Sequence, residues 1–203
     1  MLIINGNLIN GQLCTGDVVI PDSVKSIAAR AFGADYIGYD CGAYIESVKL
    51  PDGITKIPND LFAHCSNLKN IAIPESVTEI GDCAFRFTAI TSITIPKGVT
   101  SIGASAFAST PLTSITVPEN VTEIGTYAFE GCGKLQSITL PNGLKKIGSV
   151  VFYSVPVTEL TLPDSVESIA EDAFESFSAD ITYKGEVYFP ELYDELYAAI
   201  NGN

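Results

Sequence analysis

Apolar residues recur along this chain at fixed distances from a proline. Aligned on Pro21, Pro51, Pro74, Pro96, Pro118, Pro141 and Pro163, the positions one and three before the proline are Ile, Leu or Val in all seven copies. The position between them is mostly polar, Thr94, Thr116, Thr139 and Thr161 in the last four. Alternation at period two with β-branched side chains predicts a short strand with one face inward. Three and six residues after the proline come two more apolar columns, Val24 to Val166 and Ile27 to Ile169. The segment holding them is too short and too β-branched for a stable helix, so a second short strand or extended turn is expected. Gly81, Gly103, Gly125 and Gly148 close it, where a tight bend with positive φ is expected. Eleven residues after every proline stands a phenylalanine: Phe32, Phe62, Phe85, Phe107, Phe129, Phe152 and Phe174.

Successive prolines are 30, 23, 22, 22, 23 and 22 residues apart, a period that marks a solenoid. All variation in length falls between a phenylalanine and the next proline, which makes that arc the tolerant edge. The expected fold is a solenoid. A parallel β-sheet lines its concave side, with short second strands or turns opposite. The phenylalanine rings should stack in one column. A solenoid needs closed ends. Residues 1–16, with turns at Asn5-Gly6 and Asn10-Gly11, form the expected β cap. Residues 17–178 hold seven coils, with an insertion at about 33–44. Residues 179–203 form a hairpin around Lys184-Gly185 and a helix opened by Pro190, with Leu192, Leu196 and Ile200 on one face.

Composition narrows the function. The chain is 46% apolar and 17% charged, enough to fold around a core. No run is long enough to cross a membrane, and the first residues do not form a signal peptide. A net charge of −13 repels phosphate backbones, so nucleic acid is not an expected partner. Cys65 and Cys132 each follow a phenylalanine by three residues and lie three coils apart. At about 4.8 Å per coil that is about 14 Å, too far for a disulfide. They are expected to be small buried apolar residues. A Cys14–Cys41 bridge is left open.

The pattern Leu-x-x-Ile-x-Leu-Pro-x-x-Val/Leu-x-x-Ile-Gly, as in residues 135–148, followed by Ala-Phe-x-x-Cys as in Ala128 to Cys132, resembles the BspA-like leucine-rich repeat proteins. The resemblance spans about residues 17–177. It implies a right-handed leucine-rich-repeat solenoid and an extracellular or cell-surface binding module, typically bacterial and associated with adhesion to host proteins or other cells. It carries no motif for a particular ligand and no shared catalytic residues.

Candidate contact residues follow from the surface columns. Thr94, Thr116, Thr139 and Thr161, beside a parallel Ser column, form a flat hydroxyl face, and Tyr36, Tyr39 and Tyr44 sit in the insertion. Both are consistent with simple surface as well as with a protein or glycan ligand. The acids following several prolines lack the ligand spacing of a calcium loop. His64, the single histidine, belongs to no nucleophile motif. No catalytic, cofactor or metal residue is assigned. The expected function is non-enzymatic binding, with a structural spacer or a carbohydrate-binding module as alternatives.

Overall fold

The computed structural model describes residues 1–33 and 44–202. The seven coils stack as the repeat implies, and the phenylalanines form one column. Adjacent ring centroids from Phe32 to Phe174 lie 5.4 to 6.4 Å apart, with planes within 17° of parallel. The separations exceed the spacing of about 4.8 Å between paired strands, so the rings are offset, the arrangement that aromatic quadrupoles favour. The two columns after the proline are buried in every coil. Six of the seven repeat prolines, all but Pro51, open a turn closed by the N–H three residues on, as in Val77 to the carbonyl of Pro74 at 3.0 Å.

Two ladders run along the stack, and they differ in continuity. The segment after the proline gives six two-residue parallel strands in one unbroken sheet, from Lys56–Ile57 to Ser168–Ile169. The segment before the proline does not form the single seven-stranded sheet its pattern suggests. It splits into Gly16–Val19 with Ile45–Lys49 and Asn70–Ala72, then Ser114–Thr116 with Ser137–Thr139, then Glu159–Thr161 with the C-terminal hairpin. In the fourth coil, Ser92 to Ile95 makes no inter-coil backbone hydrogen bond.

The breaks follow coil length. Pairing is present where successive prolines are 30 or 23 residues apart and absent at every 22-residue interval. The two 23-residue coils carry an extra turn in the arc after phenylalanine. Leu68 N–H bonds to Cys65 O at 2.9 Å in one, and Leu135 N–H to Cys132 O at 3.0 Å in the other. The short arcs lack that turn. The inward residues Ile71, Ile93 and Ile138 are half-buried, whereas Val48, Ile115 and Leu160 in the same column are buried.

The glycine expectation needs correction. Gly81, Gly103, Gly125 and Gly148 do not have positive φ. They are glycine because adjacent coils touch there: a Cβ on Gly103 would lie 2.6 Å from the Asp82 nitrogen, and one on Gly125 2.7 Å from that of Ala104. Left-handed backbone occurs instead two residues before the phenylalanine, at Cys83, Ser105, Tyr127 and Val150, and two after it, at His64, Phe87, Ser109 and Gly131. This alternation turns the arc so that phenylalanine N–H groups reach the next coil, Phe85 to Ala106 O at 2.9 Å and Phe107 to Ala128 O at 3.0 Å. Buried backbone polar groups are thereby paired without regular strand.

Both ends carry hairpins. Leu2–Ile4 and Asn7–Asn10 pair antiparallel through Asn5 and Gly6, both at positive φ, and Asn7–Leu8 continues onto Ser26–Ile27. Asn10-Gly11 is followed by a turn, and Gly11 leaves room for the Phe32 ring, which would lie 2.1 Å from a Cβ. At the other end Asp180–Tyr183 and Glu186–Tyr188 flank the Lys184-Gly185 turn. A 3-10 turn over Pro190–Leu192 leads into helix α1, Tyr193–Asn201, which buries Leu196 and Ile200, with Leu192 half-buried, and ends on left-handed Gly202.

Candidate functional site

The split ladder opens the outer face of the middle coils. Two adjoining depressions lie there. One, of about 550 Å³, is lined by residues of coils two to four, among them Ser47, Lys49, Asn70 and Ala72. The other, of about 600 Å³, involves coils four and five through Ile95, Lys97, Ser114, Thr116 and Asn120. Ser92, Ile93 and Thr94 belong to both. The chemistry is mixed: hydroxyls and amides, half-buried Ile71 and Ile93, unpaired backbone groups at Ser92 to Ile95, Lys49 and Lys97, and the carboxylates Glu75 and Glu119. Glu119 accepts from the Asn142 N–H at 3.3 Å, and the Asn120 amide donates to Lys97 O at 2.8 Å, which fixes this rim.

Of the residues singled out from sequence, Thr94, Thr116, Thr139 and Thr161 are all exposed on this face. The structure brings Thr94 and Thr116 to one depression and pairs Thr116 with Thr139, while Thr161 lies beyond the last break, beside Thr182. Tyr44 is exposed. Tyr36 and Tyr39 lie outside the described residues, as does Cys41 and with it the Cys14–Cys41 pairing. Sequence reasoning placed Asn70 in the outward column but did not single out Ile93, Lys97 or Asn120 as contact residues. Their common marker is membership of coils joined by a 22-residue interval.

The other chemistry-bearing groups are mainly structural. Cys65 and Cys132 are buried as expected, and their thiols face the Phe32 and Phe107 carbonyls at 3.6 and 3.2 Å. In the short arcs Thr88 and Thr110 take their place, each donating to the carbonyl of its own coil's phenylalanine, at 2.9 and 2.8 Å. Burial pushes the Cys65 thiol from its ordinary 9.0 up to about 12. The unfolded chain therefore loses this proton first, so the thiol's contribution is intact below pH 9 and is lost as pH rises from 9 to 12. Urea unfolding across that window should show a steeper loss for the natural chain than for Cys65→Ala. Equal slopes would mean that Cys65 is not shielded.

The His64 ring packs on Phe87 at 4.7 Å, and the Arg86 guanidinium lies 4.7 Å from the centre of the same ring. Among the described residues no group of three or more His, Cys, Asp and Glu is placed to hold a metal, and no helix is long and apolar enough to cross a membrane.

Residues 100–187 match the family model of the BspA type leucine rich repeat region, in six copies. This part of the chain is similar to BspA-type leucine-rich repeats. Among solved structures it resembles a leucine-rich repeat protein from Bacteroides ovatus, with 29% identity, a TM-score of 0.57, and coverage of 75% of this chain and 44% of that one. It also resembles the leucine rich repeat protein of T. pallidum, with 22% identity, a TM-score of 0.67, and coverage of 96% and 87%. The second likeness shows the fold alone. The chain spans less than half the length of the Bacteroides ovatus protein it matches. No curated protein matches it.

Proposed function

We propose that this protein is a non-enzymatic binding module of a cell surface or extracellular space, which holds a macromolecular partner, a protein, on the face opened by the split ladder. One observation carries the reading. In the fourth coil backbone donors and acceptors stand unpaired between two depressions, while the segments after the prolines of coils two to seven form one unbroken ladder. Unpaired backbone beside half-buried isoleucine is the kind of surface on which an extended polypeptide finds hydrogen bonds and apolar contact together. The likeness to BspA-type repeats supports a surface location, and adhesion is part of the proposal.

The test separates the opening from the side chains that line it. One alanine inserted after Ala89 lengthens the short arc to the 23-residue spacing and should pair the third and fourth coils without changing a lining residue. The natural chain, this variant and Thr94→Arg/Thr116→Arg are compared for equilibrium binding to a panel of extracellular-matrix proteins and glycans. Saturable protein binding, weakened at least tenfold in both variants, is the expected result. A folded natural chain that binds nothing would leave the spacer reading, and binding to free oligosaccharide alone would favour a glycan module.

A further inference from the structure

The outer β edges at the ends of this molecule differ in how they are guarded. The last strand of the long ladder, Ser168–Ile169, is closed by Asn201, whose side-chain oxygen accepts from the Ile169 N–H at 3.2 Å while its amide donates to the Ile169 carbonyl at 3.3 Å. The outer C-terminal strand, Glu186–Tyr188, begins with a carboxylate and lies in a stretch, 159–203, where eleven Asp and Glu stand against Lys184 alone. The outer N-terminal strand, Leu2–Ile4, has neither protection. It pairs on one side only, and its Leu2 and Ile4 side chains are half exposed, as is Ile9 on the neighbouring strand. The first sixteen residues contain no Asp, Glu, Lys or Arg. Leu13, within the same uncharged segment, is 92% exposed.

A bare apolar edge is a template for another strand, and natural sheets block such edges unless they are used. We infer that two copies of this chain associate through their N-terminal hairpins, with Leu2–Ile4 pairing antiparallel with its two-fold copy. An antiparallel edge is its own complement about a two-fold axis, so a second copy fits without any further sequence requirement. Charge selects the same geometry. At net −13 two copies repel through most faces. Docking at the uncharged ends leaves the acid-rich C-terminal stretches at opposite extremities, farther apart than the screening length of about 8 Å. The exposed apolar side chains of the segment are few, so the interface is small and the dimer is reversible.

Sedimentation equilibrium from about 1 to about 300 μM tests this, with folding verified by circular dichroism. The natural chain should pass from monomer to twice the monomer mass across the range. Leu2→Glu/Ile4→Glu should remain monomeric. Leu13→Glu, at a side chain too exposed for its loss to unfold the chain, should raise the dissociation constant at least tenfold. Val187→Glu/Phe189→Glu, at the other end, should leave the dimer intact. A natural chain that stays monomeric throughout, a dimer that survives both N-terminal variants, or one dissolved by the Val187/Phe189 pair would each overturn the inference.

Discussion

Phe107→Ala should destabilise the protein by about 3–5 kcal/mol. The ring is fully buried in mid-column, 5.4 Å from Phe85 and 5.9 Å from Phe129, so truncation removes contacts with both neighbouring coils at once. In a solenoid each coil touches only its neighbours, and no distant packing compensates for a weakened pair of interfaces. Phe174 provides the contrast. It lies at the end of the column, slightly exposed, beside Phe177 and Tyr193, whose rings can settle into the space. Urea unfolding followed by circular dichroism should rank Phe107→Ala well below Phe174→Ala, with Phe107→Leu between Phe107→Ala and the natural chain. A loss under about 1 kcal/mol for Phe107→Ala would mean that the column does not couple the coils.

Gly103→Ala should cost about 1–3 kcal/mol or more by overpacking. The added methyl would meet the Asp82 nitrogen at 2.6 Å and the Gly81 carbonyl carbon at 2.7 Å, backbone that cannot swing aside as a flexible side chain does. The coils would have to part, straining the continuous ladder that pairs Ile80 with Ile102 and Ile102 with Ile124. Gly133→Ala is the control, since its nearest neighbour would be 3.9 Å away, and it should change stability by less than about 0.5 kcal/mol. Gly103→Asn decides the cause. Asparagine tolerates left-handed backbone, so it would rescue a glycine kept for its φ, but it should do no better than alanine at a site of close approach. Recovery of stability by asparagine would contradict the packing explanation.

These two residues also show which parts of the fold could be read from the sequence. The phenylalanine column was readable because its distance from proline is eleven in every coil, and a constant offset in a repeat places side chains one above another. The glycines were readable as a bend but not as a contact. A close approach between coils leaves the same residue type as a left-handed turn, and only the neighbouring backbone distinguishes them. The left-handed positions themselves carry Cys, Ser, Tyr and even β-branched Val150, so composition does not mark them.

The split ladder stands between these cases. Ser92-Ile-Thr-Ile-Pro96 has the same alternation as the paired segments Ser114 to Pro118 and Ser137 to Pro141, so local pattern predicts a strand in all three. The distinguishing feature is one residue in the arc that joins two successive segments, together with cysteine in the 23-residue coils where the 22-residue ones have threonine or valine. That difference is plain in the spacing of the prolines. Its meaning depends on which arc carries the extra turn, which is a property of packing between coils. The candidate face was therefore located by its hydroxyl column, while the opening that gives it depth was not.

Amide hydrogen exchange of the unliganded protein tests that opening most directly. The Ile93, Thr94 and Ile95 amides should exchange fast, while Ile80, Ile102 and Ile124 on the continuous ladder and Phe85 and Phe107 in the column exchange slowly, because the first group has no inter-coil acceptor. Equal protection of Ile93 to Ile95 and the ladder amides would mean that the fourth coil is paired in solution, and the proposed binding face would then be a closed sheet.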